Sequence, residues 1–200
     1  MRFRFGPIPT EEAFYSRKEQ WNKCQEPSAW VVTWLISIPL SVLLALLFLV
    51  WVLWLTEISF TRMTIVGFIV VSLLVIFVHE IIHAFVHPDK GITNKTILGF
   101  WPSYMIFYAH YCGVRTKENF VVGLLAPFLI LSVMPAVFSS MVGVEFWWLG
   151  LVIVLNASFS SIDLFGAIYI QLSVPKNSDV CNQGWSTYWC ARRIKRVKDA

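Results

Sequence analysis

Two histidines flank a glutamate in an apolar stretch, residues 78–84, with the sequence Val-His-Glu-Ile-Ile-His-Ala. On a helix, His79 and His83 lie on one face, about 6 Å apart along the axis. At that spacing two imidazoles can bind one zinc ion, with Glu80 beside the metal as general base. With four histidines in 200 residues, chance gives this pattern in roughly 0.3% of shuffled chains. The motif therefore predicts hydrolysis by a zinc-activated water molecule.

A hydrolytic zinc site usually has three protein ligands and a water molecule, so a third ligand is needed. His87 continues the row, but it lies about 12 Å along the axis from His79, and we interpret it as a helix-end histidine facing the interface. His110, in a connecting loop, is a weaker candidate. Asp163 is the better one, because a carboxylate inside an apolar span is costly and requires a partner, which a metal ion supplies. The alternative is a structural aspartate that accepts hydrogen bonds from nearby serines.

Asn156 precedes Asp163 by seven residues, about two helical turns, so the two side chains share a helix face. Its amide can hold a substrate carbonyl or stabilise an oxyanion. An interhelical hydrogen bond explains the same residue equally well. Both interpretations stay open on the sequence.

The segments that carry these residues are apolar and almost free of charge. The chain is 57% hydrophobic and 14% charged. Charged residues are absent between Glu26 and Glu57, between Arg62 and Glu80, and between Glu118 and Glu145; from there to Lys176 only Asp163 is charged. Uncharged apolar runs of about 18 or more residues predict transmembrane helices. The fold class that we predict is an all-α polytopic membrane protein with four transmembrane helices.

The predicted boundaries follow from charges and prolines. Residues 1–27 form an interfacial N-terminal segment, and 28–175 form the membrane domain, with spans at about 28–56, 64–87, 120–142 and 146–174. Pro88 ends the second span. In the connection after it, β-branched and aromatic residues predict a hairpin at about 95–111. Its aromatic side chains form either an interfacial belt or an edge strand that pairs with an extended substrate peptide. Residues 176–200 form a basic tail.

The number of lysine and arginine residues alternates between high and low from one segment outside the predicted spans to the next. Five precede the first span, one lies in 57–63, four lie in 88–119, none lies in 143–145, and six follow Pro175. The positive-inside rule therefore predicts that both termini and the 88–119 connection are cytoplasmic. The basic tail needs only anionic lipid as its partner, and no nucleic acid. The four cysteines fall in these cytoplasmic segments, where thiols stay reduced.

The arrangement resembles the three-helix core of site-2-protease-like intramembrane metalloproteases. More closely it resembles a small bacterial membrane family of zincin peptidases, grouped as a domain of unknown function. The shared features are the His79-Glu80-x-x-His83 helix, the aromatic hairpin, Leu125-Ala126-Pro127-Phe128, and Asn156 to Asp163-Leu164. The resemblance implies zinc ligation by His79, His83 and Asp163, with Glu80 catalytic. One departure is that Leu164 and Phe165 separate the aspartate from Gly166, where the site-2 group has a glycine at once.

We therefore predict an integral protein of a bacterial cell membrane, a zinc metalloprotease that hydrolyses peptide bonds within or beside the bilayer. Its substrate would be a peptide or a membrane protein, with Glu80 as the base. One alternative is a membrane zinc protein that matures a partner, or confers immunity, without proteolysis. Another is a cation transporter whose polar fourth span lines an ion path. The effect of replacing Glu80 distinguishes the protease hypothesis from both alternatives.

Overall fold

The computed structural model describes residues 1–11, 14, 18–25 and 30–192. Helices dominate the described chain. They are α1 (Trp30–Leu55), α2 (Ile65–Val86), α3 (Lys117–Phe128), α4 (Met134–Val142), α5 (Trp147–Phe159) and α6 (Ser161–Ser173). The strands are β1 (Arg2–Phe5), β2 (Asn22–Lys23), β3 (Thr96–Trp101), β4 (Ile106–Tyr111), β5 (Arg115–Thr116), β6 (Ser178–Gln183) and β7 (Ser186–Ala191). The predicted start of the first span and the end of the basic tail, 193–200, lie outside the described residues.

Three helical stretches are long and apolar enough to cross a membrane: Leu35–Leu55, Ile65–Val86 and Lys117–Val142. The third stretch joins α3 to α4 through a π-helical turn over Leu129–Val133, which lies between two prolines that lack a backbone N–H. Helices α5 and α6 meet at an angle of 45° and make a fourth span only if the bent pair is counted as one. Of the four predicted spans, three are therefore confirmed as single helical stretches.

Local sequence explains where the helices begin and end. The Thr64 hydroxyl accepts a hydrogen bond from the Gly67 amide at 3.0 Å and caps α2, and Thr116 caps α3 in the same way. His87 has an extended backbone because Pro88 follows it, so α2 stops at Val86. The predicted end of the second span agrees with this boundary.

Helix α5 lies at the centre of the helical domain and packs against α1, α2 and the π-helical turn. An apolar cluster that includes Phe48, Val52, Ile153 and Ala157 joins α1 to α5. Helix α2 packs on α3 and α5, and α3 packs on α6. Large apolar side chains on the outward faces of these helices are exposed, as lipid-facing residues would be.

The predicted hairpin is present as β3 and β4, which pair from Thr96↔Tyr111 to Trp101↔Ile106. A third strand, which the sequence did not suggest, completes this sheet. β1 pairs in parallel with β3, from Arg2↔Ile97 to Phe5↔Phe100. The order is therefore β1-β3-β4, so β1 covers one edge of the hairpin and leaves the outer edge of β4 facing α2.

The structure contains a second sheet, with the strand order β2-β7-β6-β5. The predicted all-α class is therefore incomplete, because the protein is mostly helical but also contains two sheets. The tail, expected only as a basic segment, turns at Gly184 with a φ of 58° and forms the β6–β7 hairpin. Part of the signal was present, because β-branched and aromatic residues such as Val180, Thr187 and Tyr188 lie on either side of that glycine. The cysteines Cys24, Cys112, Cys181 and Cys190 are free thiols.

Lys117 joins the start of α3 to the end of α6. Its buried ammonium group donates hydrogen bonds to the carbonyls of Gln171 (2.9 Å) and Val174 (2.6 Å) at the end of α6. The last carbonyls of a helix lack partners within the helix, and a lysine there satisfies them and favours the negative end of the helix dipole. The contact fixes the end of α6 to the start of α3.

Two buried histidines lie where the first sheet meets the end of α2. His87 is only 4% exposed, and its ring lies 5.4 Å from that of Tyr111. The expectation that His87 faces the interface is therefore wrong, because the hairpin covers the end of the helix. Burial, and then the positive charge of Arg115, lowers the pKa of His87 to about 3 and that of His110 to about 4.

Replacing Lys117 by Met should lower the free energy of unfolding by about 1–3 kcal/mol, because two helix-end carbonyls lose their buried donor. Thermal unfolding of the purified protein in detergent measures the change. Lys95→Met is the matched control, because Lys95 is exposed. An equal melting temperature for the Lys117 and Lys95 variants would contradict the capping role.

Stability should fall as the pH drops from 7.5 towards 5. A histidine whose pKa is lower in the folded chain than its usual 6.5 contributes stability that is present above the unfolded pKa and is lost as the pH falls. His87→Phe should flatten the dependence by up to about 1.4 kcal/mol per pH unit, since that is the free energy of one proton per unit. Melting curves across this pH range test it, and an unchanged slope in the variant would refute it.

Candidate metal centre

Three of the predicted site residues converge inside the helical domain. His79 and His83 project from one face of α2, and Asp163 projects from the first turn of α6. The two Nε2 atoms are 3.1 Å apart, and Oδ2 of Asp163 lies 3.0 Å from that of His79 and 3.4 Å from that of His83. Among the described residues, this is the one group of three or more His, Cys, Asp or Glu side chains placed to hold a metal ion.

The outer nitrogen of His83 shows how its ring is oriented. His83 Nδ1 lies 2.8 Å from the carbonyl oxygen of Gly123 on α3. A carbonyl can only accept a hydrogen bond, so Nδ1 carries the proton and donates it. The neutral ring therefore presents an unprotonated Nε2 to the cluster.

Asn156 has the same effect on His79. Its Nδ2 donates to the carbonyl of Pro127 (2.9 Å) and to Oγ of Ser132 (2.8 Å), which fixes the orientation of the amide. Its Oδ1 then lies 2.8 Å from His79 Nδ1 and accepts that proton. The Nε2 of His79 is thus also left as a lone pair directed into the cluster.

When both rings are neutral, the cluster holds three hydrogen-bond acceptors and no donor. Two imidazole lone pairs and a carboxylate oxygen repel one another at these separations unless a cation lies between them. Tetrahedral zinc with ligands at 2.0–2.1 Å separates its ligand atoms by about 3.3 Å. The observed separations of 3.0–3.4 Å match that value, so the side chains present fit zinc.

Asp163 lies just beyond a bend in the chain. Helix α5 ends at Phe159, and Ser160 is the shared cap between α5 and α6. The two helices meet at 45°, and Asp163 belongs to the first turn of α6. The run Ser158-Phe159-Ser160-Ser161 is the sequence signal of this break, since serine competes for backbone hydrogen bonds.

Glu80 lies beside the cluster and faces β4. Its carboxylate accepts a hydrogen bond from the backbone amide of Ala109. This contact was not predicted, and the side chains give no signal of it, since the donor is a backbone group.

The backbone of β4 shows that its outer edge faces the candidate site. The Cys112 amide donates a hydrogen bond to the backbone carbonyl of Lys95 across the hairpin. On the β1 side, the Gly6 amide donates to the carbonyl of Phe100. Because ladder groups alternate in direction along a strand, the polar groups of Phe107 and Ala109 point away from β3.

A cavity of about 350 Å³ lies next to the cluster. It is bounded by α1, α2, the hairpin turn and the α5–α6 bend. Lining residues include Ser41, Ile76, Glu80, Phe107, Ser158 and Asp163. The Oγ atoms of Ser41 and Ser158 are hydrogen-bonded at 2.7 Å, so the lining of the cavity is partly polar. Glu80 and Asp163 also line it.

The remaining candidates take other positions. His87 and His110 pack between the hairpin and the end of α2 and are not part of the cluster. Asn156 is 0% exposed, and its hydrogen bonds connect α5 with α2, α3 and the π-helical turn. The interhelical alternative for Asn156 thus describes its contacts, while a substrate or oxyanion role stays a prediction. Sequence reasoning did not find Gly123 or Ser132, and only the second, a serine in an apolar run, offered a signal.

Comparison with known families places these residues in context. A family model described as "Putative zincin peptidase" (DUF3267) matches residues 72–178. Comparisons with curated proteins and with solved structures give no match. The matched stretch begins in α2 ahead of both histidines and includes the hairpin, the π-helical turn and the α5–α6 bend. As it covers more than half of the chain, this protein belongs to the zincin peptidase family, whose cofactor is zinc.

Proposed function

We propose that the protein is a membrane-embedded zinc metalloprotease that hydrolyses peptide bonds within or next to the bilayer. His79, His83 and Asp163 hold the metal, and Glu80 is the general base. The observation that carries the proposal is the convergence of three acceptor atoms, each within 3.4 Å of the others, next to a carboxylate. The family supplies the reaction class, and the apolar helices around the cluster support the membrane location.

Zinc, when bound, supplies the Lewis acid that polarises the peptide carbonyl and activates a water molecule. The chain keeps both Nε2 atoms free to bind it. The Gly123 carbonyl and the Asn156 amide oxygen hold the Nδ1 protons on the far side of each ring. Hydrogen bonds from the ring nitrogen that does not face the metal fix the ring orientation and raise the basicity of the other nitrogen.

Glu80 performs the proton transfers. It takes a proton from the attacking water as the oxygen bonds to the carbonyl carbon, and it gives that proton to the amine nitrogen as the C–N bond breaks. The backbone amide of Ala109 orients this base, because it donates a hydrogen bond to the carboxylate. Glu80 is thus positioned by a backbone group that side-chain substitution leaves in place.

The substrate binds as an extended strand along β4. Of the two edges of the hairpin, β1 covers the β3 edge, so only the β4 edge faces the cavity. The outward N–H and C=O groups of Phe107 and the C=O group of Ala109 can pair with a peptide backbone, which gives affinity with little dependence on sequence. Of the two interpretations of the aromatic hairpin, this supports the edge strand.

The alternation of basic residues supports an orientation with both termini and the hairpin in the cytoplasm of a bacterial cell. The peptide bond to be cleaved then reaches the site from the cytoplasmic half of the membrane. A non-proteolytic zinc protein and a cation transporter both lack a use for a base next to the metal, so the next experiment separates them from the protease.

Purified protein should contain about one zinc ion per chain, as expected for one three-ligand site. His79→Ala should lose most of that zinc, because two ligands hold the metal weakly. Glu80→Gln should keep the zinc and lose cleavage, since glutamine cannot accept the proton. Metal analysis measures the zinc content of the wild type and of both variants. Cleavage is measured by comparing membrane-protein N-termini in cells that carry the wild type or Glu80→Gln. Identical termini would refute proteolysis.

Asn156→Ala should weaken zinc binding by about 10–100-fold, because His79 loses the acceptor that fixes its ring. Titration against a chelator of known affinity measures the loss. Ser132→Ala is the matched control: it removes a hydrogen bond from the amide of Asn156 but leaves the contact with His79. Equal zinc affinity in the wild type and Asn156→Ala would exclude this positioning role.

A further inference from the structure

A guanidinium group and two imidazoles form a second cluster, beyond the end of α2. We call it the basic cluster; it consists of His87, His110 and Arg115. His87 follows α2, His110 lies in β4 and Arg115 lies in β5. Both histidines are buried, whereas part of the Arg115 side chain stays accessible. The three residues come from separate elements, and none of them belongs to the candidate metal centre.

The guanidinium group of Arg115 lies against α3. Its central carbon is 4.4 Å from the centroid of the Phe120 ring, which is a cation–π contact. A Cβ atom on Gly123 would lie 3.3 Å from Nη1, so the group also lies close to the backbone one turn further along. Among the described residues, the Arg115 side chain makes neither a hydrogen bond nor an ion pair. Its five N–H donors therefore have no protein acceptor there.

The two imidazoles also lack partners. Nδ1 of His87 is buried and has no hydrogen-bond partner within the described part of the chain. The same holds for the side chain of His110, since the described residues offer it no hydrogen bond. Buried polar groups without a partner are rare in folded proteins and cost free energy. A ligand that accepts hydrogen bonds would remove this cost.

The positive charge of the basic cluster is not compensated. Burial lowers the pKa of Arg115 to about 10, so the group stays protonated at neutral pH. Burial, and then the charge of Arg115, lowers the pKa of both His87 and His110, and no carboxylate among the described residues acts in the opposite direction on either ring. A desolvated cation without a counter-ion is costly. The arrangement therefore favours an anion, just as the candidate metal centre favours a cation.

The ends of two apolar stretches give the depth of the basic cluster. His87 directly follows Ile65–Val86, and Arg115 lies two residues before Lys117–Val142. In a bilayer, the headgroups begin where the hydrocarbon core of about 30 Å ends. The cluster consequently lies at the level at which lipid headgroups present their phosphate groups.

We propose that the basic cluster binds a phosphate group, with the guanidinium of Arg115 as its principal donor. Guanidinium and phosphate pair through two parallel hydrogen bonds, and the N–H groups of His87 and His110 are the further donors. The phosphate belongs either to an anionic lipid headgroup or to a soluble compound. Only the lipid source rests on the membrane location given under the proposed function, and neither source involves zinc binding or hydrolysis.

Binding is measured on the full-length protein in detergent, by the rise in melting temperature. One arm titrates inorganic phosphate against chloride at equal ionic strength. The other compares micelles that contain phosphatidylglycerol with micelles that contain diacylglycerol, which has acyl chains and no phosphate. We expect a saturable rise in at least one arm. A rise with inorganic phosphate assigns a soluble ligand, and a rise with phosphatidylglycerol alone assigns the lipid.

Arg115→Gln should weaken this binding by about 10–100-fold, as for the loss of hydrogen bonds to a charged group. Arg62→Gln is the matched control, because Arg62 is exposed and precedes α2 at its other end. Its affinity should equal that of the wild type. Equal binding by the wild type and Arg115→Gln, equal losses in the two variants, or no rise in either arm would overturn the proposal.

Chemical modification of the wild-type protein gives a result that does not depend on the folding of a variant. Phenylglyoxal reacts with guanidinium groups, and peptide mapping by mass spectrometry locates the products. Bound phosphate should slow the modification of Arg115 and leave that of Arg62 unchanged, and a lack of protection at Arg115 would refute the site. Zinc is measured in the same samples: protein that binds phosphate but no zinc would contradict the proposed function alone.

Discussion

Three hydrogen-bond acceptors held close together in an apolar helical domain are the constraint on which this structure depends. The Nε2 atoms of His79 and His83 and a carboxylate oxygen of Asp163 lie within 3.4 Å of one another. Like partial charges at that distance destabilise the fold unless a cation compensates them. The elements around the cluster hold both Nδ1 protons on its far side, and we expect metal binding there to be coupled to folding.

Each neighbouring helix contributes through an irregularity. α3 supplies the Gly123 carbonyl to His83. The π-helical turn that follows Pro127 lets Ser132 and the Pro127 carbonyl hold the Asn156 amide. Helix π-turns are uncommon and recur at functional sites because they redirect backbone groups. The bend at Ser160 is a third irregularity, and Asp163 lies in the first turn of the helix that follows it.

The β-structure complements the helices by adding what they lack. Helices satisfy their own backbone groups and therefore cannot pair with a peptide, whereas the outer edge of β4 offers unpaired groups next to Glu80. The β3 edge of the hairpin pairs with β1, near the beginning of the chain and about 95 residues away along the sequence. The helical domain carries the three candidate metal ligands, and the sheet presents the free edge of β4 to them.

The sequence by itself determined the features that depend on local pattern. The spacing of His79 and His83 placed both on one helix face, uncharged runs marked the spans, and β-branched and aromatic residues marked the β3–β4 hairpin. The costly carboxylate at Asp163 was recognisable for the same reason. Only the tertiary structure decided that Gly123 and Asn156 orient the histidines, that β1 joins the hairpin, and that the tail forms a second sheet. The contacts of Gly123 and Asn156 with the histidines join residues that are 40 and 77 positions apart in the sequence. Several of the contacts use backbone groups, which are alike in every residue and therefore leave no trace in the pattern of side chains.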